Sequence, residues 1–395
     1  MRTPFVILMF GSCVVLAACF GSSEPDQSST STSSQALPVG PPGDVVAYAV
    51  GFSTDPHGGG TPQGIGVATG LVAGSVSKVE IANRGLGLYL RWVGPDRLAA
   101  QDLSPHVLGP VELFSFRGGR LKRLNESPLR PTDDLYAWSP NRKLIAVEPS
   151  RVHSCGNGQT CAAPSGLISV ENADGSNRRQ VARGNLSGWT PRGQLVLSRG
   201  LFTGTATRGR FQSLALDAGQ RKTVLSSGEV AAALGLPTAS IGDPRWSADG
   251  RYFAALVTGP WERSDQKSIR RLRGAIVVAA ASGRIIRFLT SRYEISMFAW
   301  SPVGHRLAYT TSGFPSPHQL LVVDGPNASS TKLFAASRHF DWVTWSPNGR
   351  WLLIDDQHAD AWRLIRSDGS GTPRALPRLG GIPLWCCPED LYSGS

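Results

Sequence analysis

Lysine is scarce in this chain, supplying only six of its 40 basic residues, and methionine is scarcer still at three. No segment sustains a helical period; 229–236 (EVAAALGL) makes a short helix at most. The one long apolar run, Val6 to Leu16, is too short to span a bilayer. There is no G-x-S-x-G nucleophile elbow, no H-E-x-x-H zinc helix and no phosphate-cradling P-loop, so the chemistries that depend on them find no support. The formal charge of +11 favours anionic surroundings. Yet the cations are scattered, and no basic stripe alternates with aromatics, which speaks against nucleic acid as a partner.

What the chain has in plenty is turns. With 45 Gly, 28 Pro and a hydrophobic content of 41%, the composition suits an all-β protein of short strands around a real core. One phrase recurs: YAWSPNRKLIAVEP, PRWSADGRYFAALVTG, FAWSPVGHRLAYTTSG and VTWSPNGRWLLIDD. Its tryptophan marks seven anchors, Trp92, Trp138, Trp189, Trp246, Trp300, Trp345 and Trp385, spaced 40 to 57 residues apart. That period, with all-β content, points to four-stranded propeller blades. The Trp offers a flat surface for packing between sheets. Pro140, Pro302 and Pro347 preset φ for a tight turn, and Gly250, Gly304 and Gly349 relieve positive φ. A second Gly turn closes each outer hairpin: RGGR (117–120), ADGS (173–176), DAGQ (217–220), ASGR (281–284) and SDGS (367–370).

Three strand-like runs before Trp92 (45–51, 64–70 and 77–83) are left over, as is the Trp385 strand at the other end. Joined, they complete a seventh blade and close the ring, removing open sheet edges. Seven blades are expected, with six as the alternative. Trp246–Gly250 and Trp345–Gly349 resemble the W-S-P-D-G turn of the TolB-like, WD-repeat-like bacterial propellers, and the resemblance covers about residues 44–395. It implies the fold and, more loosely, a role as an interaction platform, since one such fold hosts many activities.

The start of the chain reads as an address. Arg2 precedes the apolar run, and Leu16-Ala17-Ala18-Cys19 resembles a bacterial lipobox, which implies cleavage before Cys19 and lipidation of its thiol. Residues 1–18 are then a signal peptide, and 19–43 the lipidated Cys and a Ser/Thr/Pro/Gly tether. The propeller takes 44–395. The expected location is extracytoplasmic, on a bacterial cell membrane or outer membrane, where disulfides are permitted. Cys155 and Cys161, in HSCGNGQTCAAP, are the first pairing; the adjacent Cys386 and Cys387 bridge to each other, pair elsewhere or stay reduced.

In such blades the second-to-third and fourth-to-first connections share one face. The second-to-third loops vary most (52–63, 148–166, 199–211, 258–273 and 311–318), and long loops on a rigid scaffold are where binding lives. The candidate ligand residues there are Trp261, Arg263, Lys267, Arg270, Arg271 and Arg273, with Phe314 and His358. Asp355, Asp356, His358 and Asp360 offer oxygen and nitrogen donors, but their spacing matches no known metal motif, so neither a metal nor a cofactor is expected. The preferred reading is a monomeric, lipid-anchored scaffold for an envelope protein or cell-wall polymer. A propeller enzyme acting on carbohydrate or another polymer, and a sensory or solute-binding accessory subunit, are the alternatives.

Overall fold

The computed structural model describes residues 44–386 except 51–63, 83–87, 95, 105–106, 125–126, 131–132, 157–158, 200–208, 259–273, 292, 313–317, 337–341, 357–358 and 381–382. Residues before 44 and after 386 also lie outside the described part. Seven antiparallel sheets form a seven-bladed propeller. Blade 1 takes 45–82 together with Leu384–Trp385; blades 2 to 7 take 88–123, 133–183, 185–226, 240–291, 294–336 and 343–377 in order.

The recurring phrase folds through its own side chains. In blade 5 the Ser247 hydroxyl accepts the Tyr252 N–H at 3.0 Å and donates to the Asp249 carboxylate at 2.7 Å. Asp249 in turn accepts the Arg251 N–H at 3.1 Å. Ser346 with Asn348 and Ser139 with Asn141 repeat the pattern in blades 7 and 3. In blade 6 Val303 stands where the acid or amide would be, and Ser301 donates to its carbonyl instead. The turn then needs a left-handed residue. Gly250 and Gly349 supply it at φ 66° and 64°, and Arg142 is held there at 61°, an uncommon conformation for a residue with a Cβ.

Burial is arranged between the blades. Seven hydrophobic clusters each draw side chains from two neighbouring blades, so each sheet is apolar on both faces. In four of the seven blades the Trp also donates its indole N–H to the carbonyl of the residue that precedes the Trp of the blade before it. Trp92 reaches Leu384 at 3.0 Å, Trp189 reaches Ala137 at 2.9 Å, Trp300 reaches Arg245 at 3.1 Å and Trp345 reaches Ala299 at 3.0 Å. At the rim, Arg287 and Arg374 donate to carbonyls in the next blade's outer turn: Pro326 and Ala328 for Arg287, Leu71 and Val72 for Arg374.

Closure follows the expected pairing: Trp385 lies opposite Val46 and Leu384 opposite Ala47, so the last strand becomes the first of blade 1. Trp385 is wholly buried, and Cys386, which is disulfide-bonded, donates its N–H to the Val45 carbonyl at 2.6 Å. Tyr48 packs edge-on to Trp362 at 5.6 Å and donates its hydroxyl to Glu80 at 2.8 Å. Burial, reinforced by Glu80, pushes the Tyr48 hydroxyl well above its ordinary pKa. Gly66 passes under this ring so closely that a Cβ would lie 2.2 Å from it.

Two details differ from or sharpen the expectation. The connection 148–166 is not an open loop: the second strand of blade 3 runs on as Leu144–Gly156 and turns back to pair with Gln159–Pro164. The short helix is present as Ser227–Leu234, started by a Ser226–Glu229 capping box and stopped by left-handed Gly235.

Removing 382–395 takes away the closing strand, and the expected result in a thermal melt is a sharply lowered midpoint. Gly66→Ala must displace Tyr48 and is expected to cost about 1–3 kcal/mol, read as the shift in a denaturant midpoint. In the outer turns Asp174 and Asp368 accept from the hydroxyls and N–H groups of Ser176 and Ser370. Those bonds hold both carboxyls below the usual range, Asp368 at about 2. Their contribution is complete above the unfolded carboxylate value and is lost as pH falls through the folded one. The midpoint is therefore expected to drop between pH 4 and 2, and Asp368→Asn to flatten part of that slope.

Candidate functional site

Each blade's first strand descends to its Trp and its second strand climbs back, so the second-to-third and fourth-to-first connections share the face opposite the W-S-P turns. We call these the loop face and the turn face. Trp261, Arg263, Lys267, Arg270, Arg271, Arg273, Phe314 and His358 belong to loop-face connections, and all lie outside the described residues. Cys19 does too. The backbone of blade 3 pairs Cys161 with His153, two residues from Cys155, so the two cysteines sit on adjacent strands; their side chains are outside the described part.

Among the described residues, the loop end of the blades carries a set of buried polar groups. Counting three residues on from the one opposite each Trp gives Gln101, Glu148, Ser198, Thr310 and Asp355 in blades 2, 3, 4, 6 and 7. All five are buried. The sequence reading missed this set except for Asp355, because its members share a register position and no residue type.

Glu148 shows what the position does. Its carboxylate accepts the Gly166 N–H at 2.9 Å and, across the blade boundary, the Leu186 N–H at 2.6 Å beside a bulge in the first strand of blade 4. An acceptor supplied to a bulged strand answers a backbone donor that the ladder leaves to be satisfied. Asp355 plays a similar part at the other end of the chain, taking the Arg378 guanidinium at 3.1 Å, and Arg378 also reaches Asp360 at 3.5 Å. Asp356 accepts from Arg363 at 3.0 Å and from the Ala359 N–H at 3.3 Å. The described carboxylates of the DDQHADAW segment are thus each engaged by arginine.

The same segment borders a cavity. Asp356, Ala359 and Arg363 form one wall of a groove of about 620 Å³ between blades 6 and 7. The outer strand of blade 6, Lys332 to Ala336, forms the other wall. Near the axis, two arginines occupy equivalent places just before a blade's Trp. Arg91 lies 5.3 Å from the Tyr136 ring and Arg245 5.4 Å from the Phe298 ring, each an aromatic of the next blade's first strand. Arg91 donates to the Tyr136 carbonyl and Arg245 to the Asp243 carboxylate. The two ring contacts and the Arg91 hydrogen bond tie neighbouring blades, while the Arg245 bond to Asp243 stays within its own strand.

With this geometry in hand, known proteins are informative on one point. No protein-family profile matches the chain, and no curated protein matches it. Solved structures do. A periplasmic gluconolactonase from Pseudomonas aeruginosa is similar at 17% identity, over 87% of this chain and 99% of that one, with a TM-score of 0.53. The tricorn protease is similar at 10% identity and a TM-score of 0.51 over 88% of this chain, which spans only 36% of the protease. TolB from Acinetobacter baumannii matches over 82% of this chain and 80% of that one at 14% identity, with a TM-score of 0.41. The gluconolactonase and tricorn likenesses show the fold and nothing finer. At such identities a propeller's activity does not transfer with its architecture.

Glu148→Gln keeps the shape of the clamp and removes its charge. The expected cost is about 1–3 kcal/mol by chemical denaturation, with the seven-bladed fold intact by circular dichroism. Asp355→Ala leaves the partly buried Arg378 with only Asp360 and is expected to cost about 1–3 kcal/mol by the same measurement.

Proposed function

We propose that the protein is a binding scaffold: a lipid-anchored extracytoplasmic propeller that offers its loop face to an envelope protein or cell-wall polymer. The observation that carries this is the difference between the two faces. The turn face is built from short, self-bonded turns of one design, whereas the loop face joins the same strands with connections of very different lengths. A rigid scaffold with one variable face is the arrangement in which binding residues accumulate. The lipobox-like Leu16–Cys19 and the tether after it supply the anchor and the location in this reading.

The enzymatic alternative needs carboxylates free to exchange protons with a substrate. The buried acids described near the loop face are instead engaged: Glu148 by backbone N–H groups, Asp355 and Asp356 by arginines. That favours binding over hydrolysis.

Photocrosslinking probes at Trp261 and Phe314 in the intact cell test the reading. One envelope protein or one wall glycan captured from both positions is expected. Capture of nothing above a probe placed at the turn-face residue Arg350 would sink it.

A further inference from the structure

The turn face is more than the plain side of the disc. Every first-to-second turn outside the closing blade carries a cation within the turn or at the first residue of its second strand. Exposed examples are Arg97, Lys143, Arg192, Arg251 and Arg350. A second row stands around them where the outermost strands begin: Arg120, Arg179, Arg221, Lys222 and Arg284, all exposed. Against these the same turns present Asp174, Asp217 and Asp324 as exposed carboxylates. Their other acids, Asp96, Asp249 and Asp368, are already held by Arg117, Arg251 and Arg366. No described ion pair engages Lys143, Arg192, Arg221 or Lys222. Scattered along the sequence, these cations are brought by the blade repeat onto the turn face, while Arg183, Arg199 and Arg210 stand exposed at the loop ends.

The chain also enters the propeller on that side. Blade 1 borrows its first strand from the other end of the chain, so the N-terminal part begins with a second strand, at the foot of the blade. Asp44, just before that strand, is fixed there by the Val72 N–H at 3.0 Å in the outer turn of the same blade. The residues that precede Asp44 therefore attach at the turn face. By composition alone, a random coil of the 23 residues 21–43 would have a mean reach of about 25 Å.

We infer that the turn face docks on an anionic membrane surface, with acidic phospholipid headgroups as its partner. This rests on reading Cys19 as lipidated. The anchor holds the domain within tether reach of the bilayer, and the basic face then turns toward it, leaving the loop face outward. Each cation near an acidic leaflet adds a modest attraction, so several together hold an orientation that one does not. Such attraction is screened over about 10 Å at 0.1 M salt.

The test uses the chain from residue 19 onward with Cys19→Ser, which keeps the whole propeller and removes the lipid. Its sedimentation with vesicles containing 30% phosphatidylglycerol is compared with that on pure phosphatidylcholine, across a salt series. Binding to the acidic vesicles alone, weakening as salt rises, is expected. Reversing Lys143, Arg192, Arg221 and Lys222 to Glu is expected to lower it about tenfold or more. Reversing Arg183 and Arg210, exposed at the loop ends of their strands, is expected to leave it unchanged. Thermal melts of both variants confirm folding. Equal binding to neutral vesicles, equal loss in the two variants, or no vesicle binding at low salt each overturns the inference. Metabolic labelling of Cys19 with palmitate, and the loop-face crosslinks, fail or succeed separately from this result.

Discussion

The structure hangs on one hydrogen bond that recurs at four of the seven blade boundaries. An indole N–H buried between two sheets must find an acceptor, and a carbonyl at the end of the neighbouring inner strand is the one within reach. Because the acceptor lies next to the neighbour's own Trp, the bond fixes the height of one blade against the next as well as their separation. The apolar clusters alone do not set that height, since burial has no direction. The same requirement explains why the anchor is Trp and not Phe: the flat surface fills the space between sheets, and the polar tip sets the register.

From that ring follows the division of labour between the faces. The W-S-P turn leaves directly from the anchor, so its residues are needed to bond one another, with Ser, Asp or Asn and a left-handed residue at fixed places. The loop ends lie farther from the anchor, and in blades 3 and 7 a buried carboxylate there bonds into an adjacent connection or blade, as Glu148 does for Leu186 and Asp355 for Arg378.

Much of the fold was legible because its signals are local. Trp, Ser-Pro, Asn-Gly and Asp-Gly act within five or six residues, and counting the phrase gave both the blade number and the closing strand. The hairpin Gln159–Pro164 was not legible, since its Gly-rich sequence reads as a loop and its pairing comes from the strand that overruns into it. Arg142 was hidden for a related reason: it occupies a glycine's place, and only the neighbouring turns reveal which place that is. At the site the sequence signalled variable loops and a run of acids at 355–360. It could not show that those acids are bound by Arg363 and Arg378, because that partnership is set by how the third and fourth strands return.

The offset closure has a consequence for how the domain is presented. A blade assembled wholly from the N-terminal end would begin with a first strand, and first strands start at the loop face. An anchor attached there would draw the variable loops toward the bilayer and crowd them with the tether. Borrowing a single strand from the C-terminal end moves the entry point by one strand, and one strand in an antiparallel sheet is the difference between the two faces. The arrangement that closes the ring with a Trp from the far end is therefore also the one that places the entering chain among the turn-face cations. Under the inferred docking, ring closure and orientation would follow from the same pairing of Trp385 with Val46.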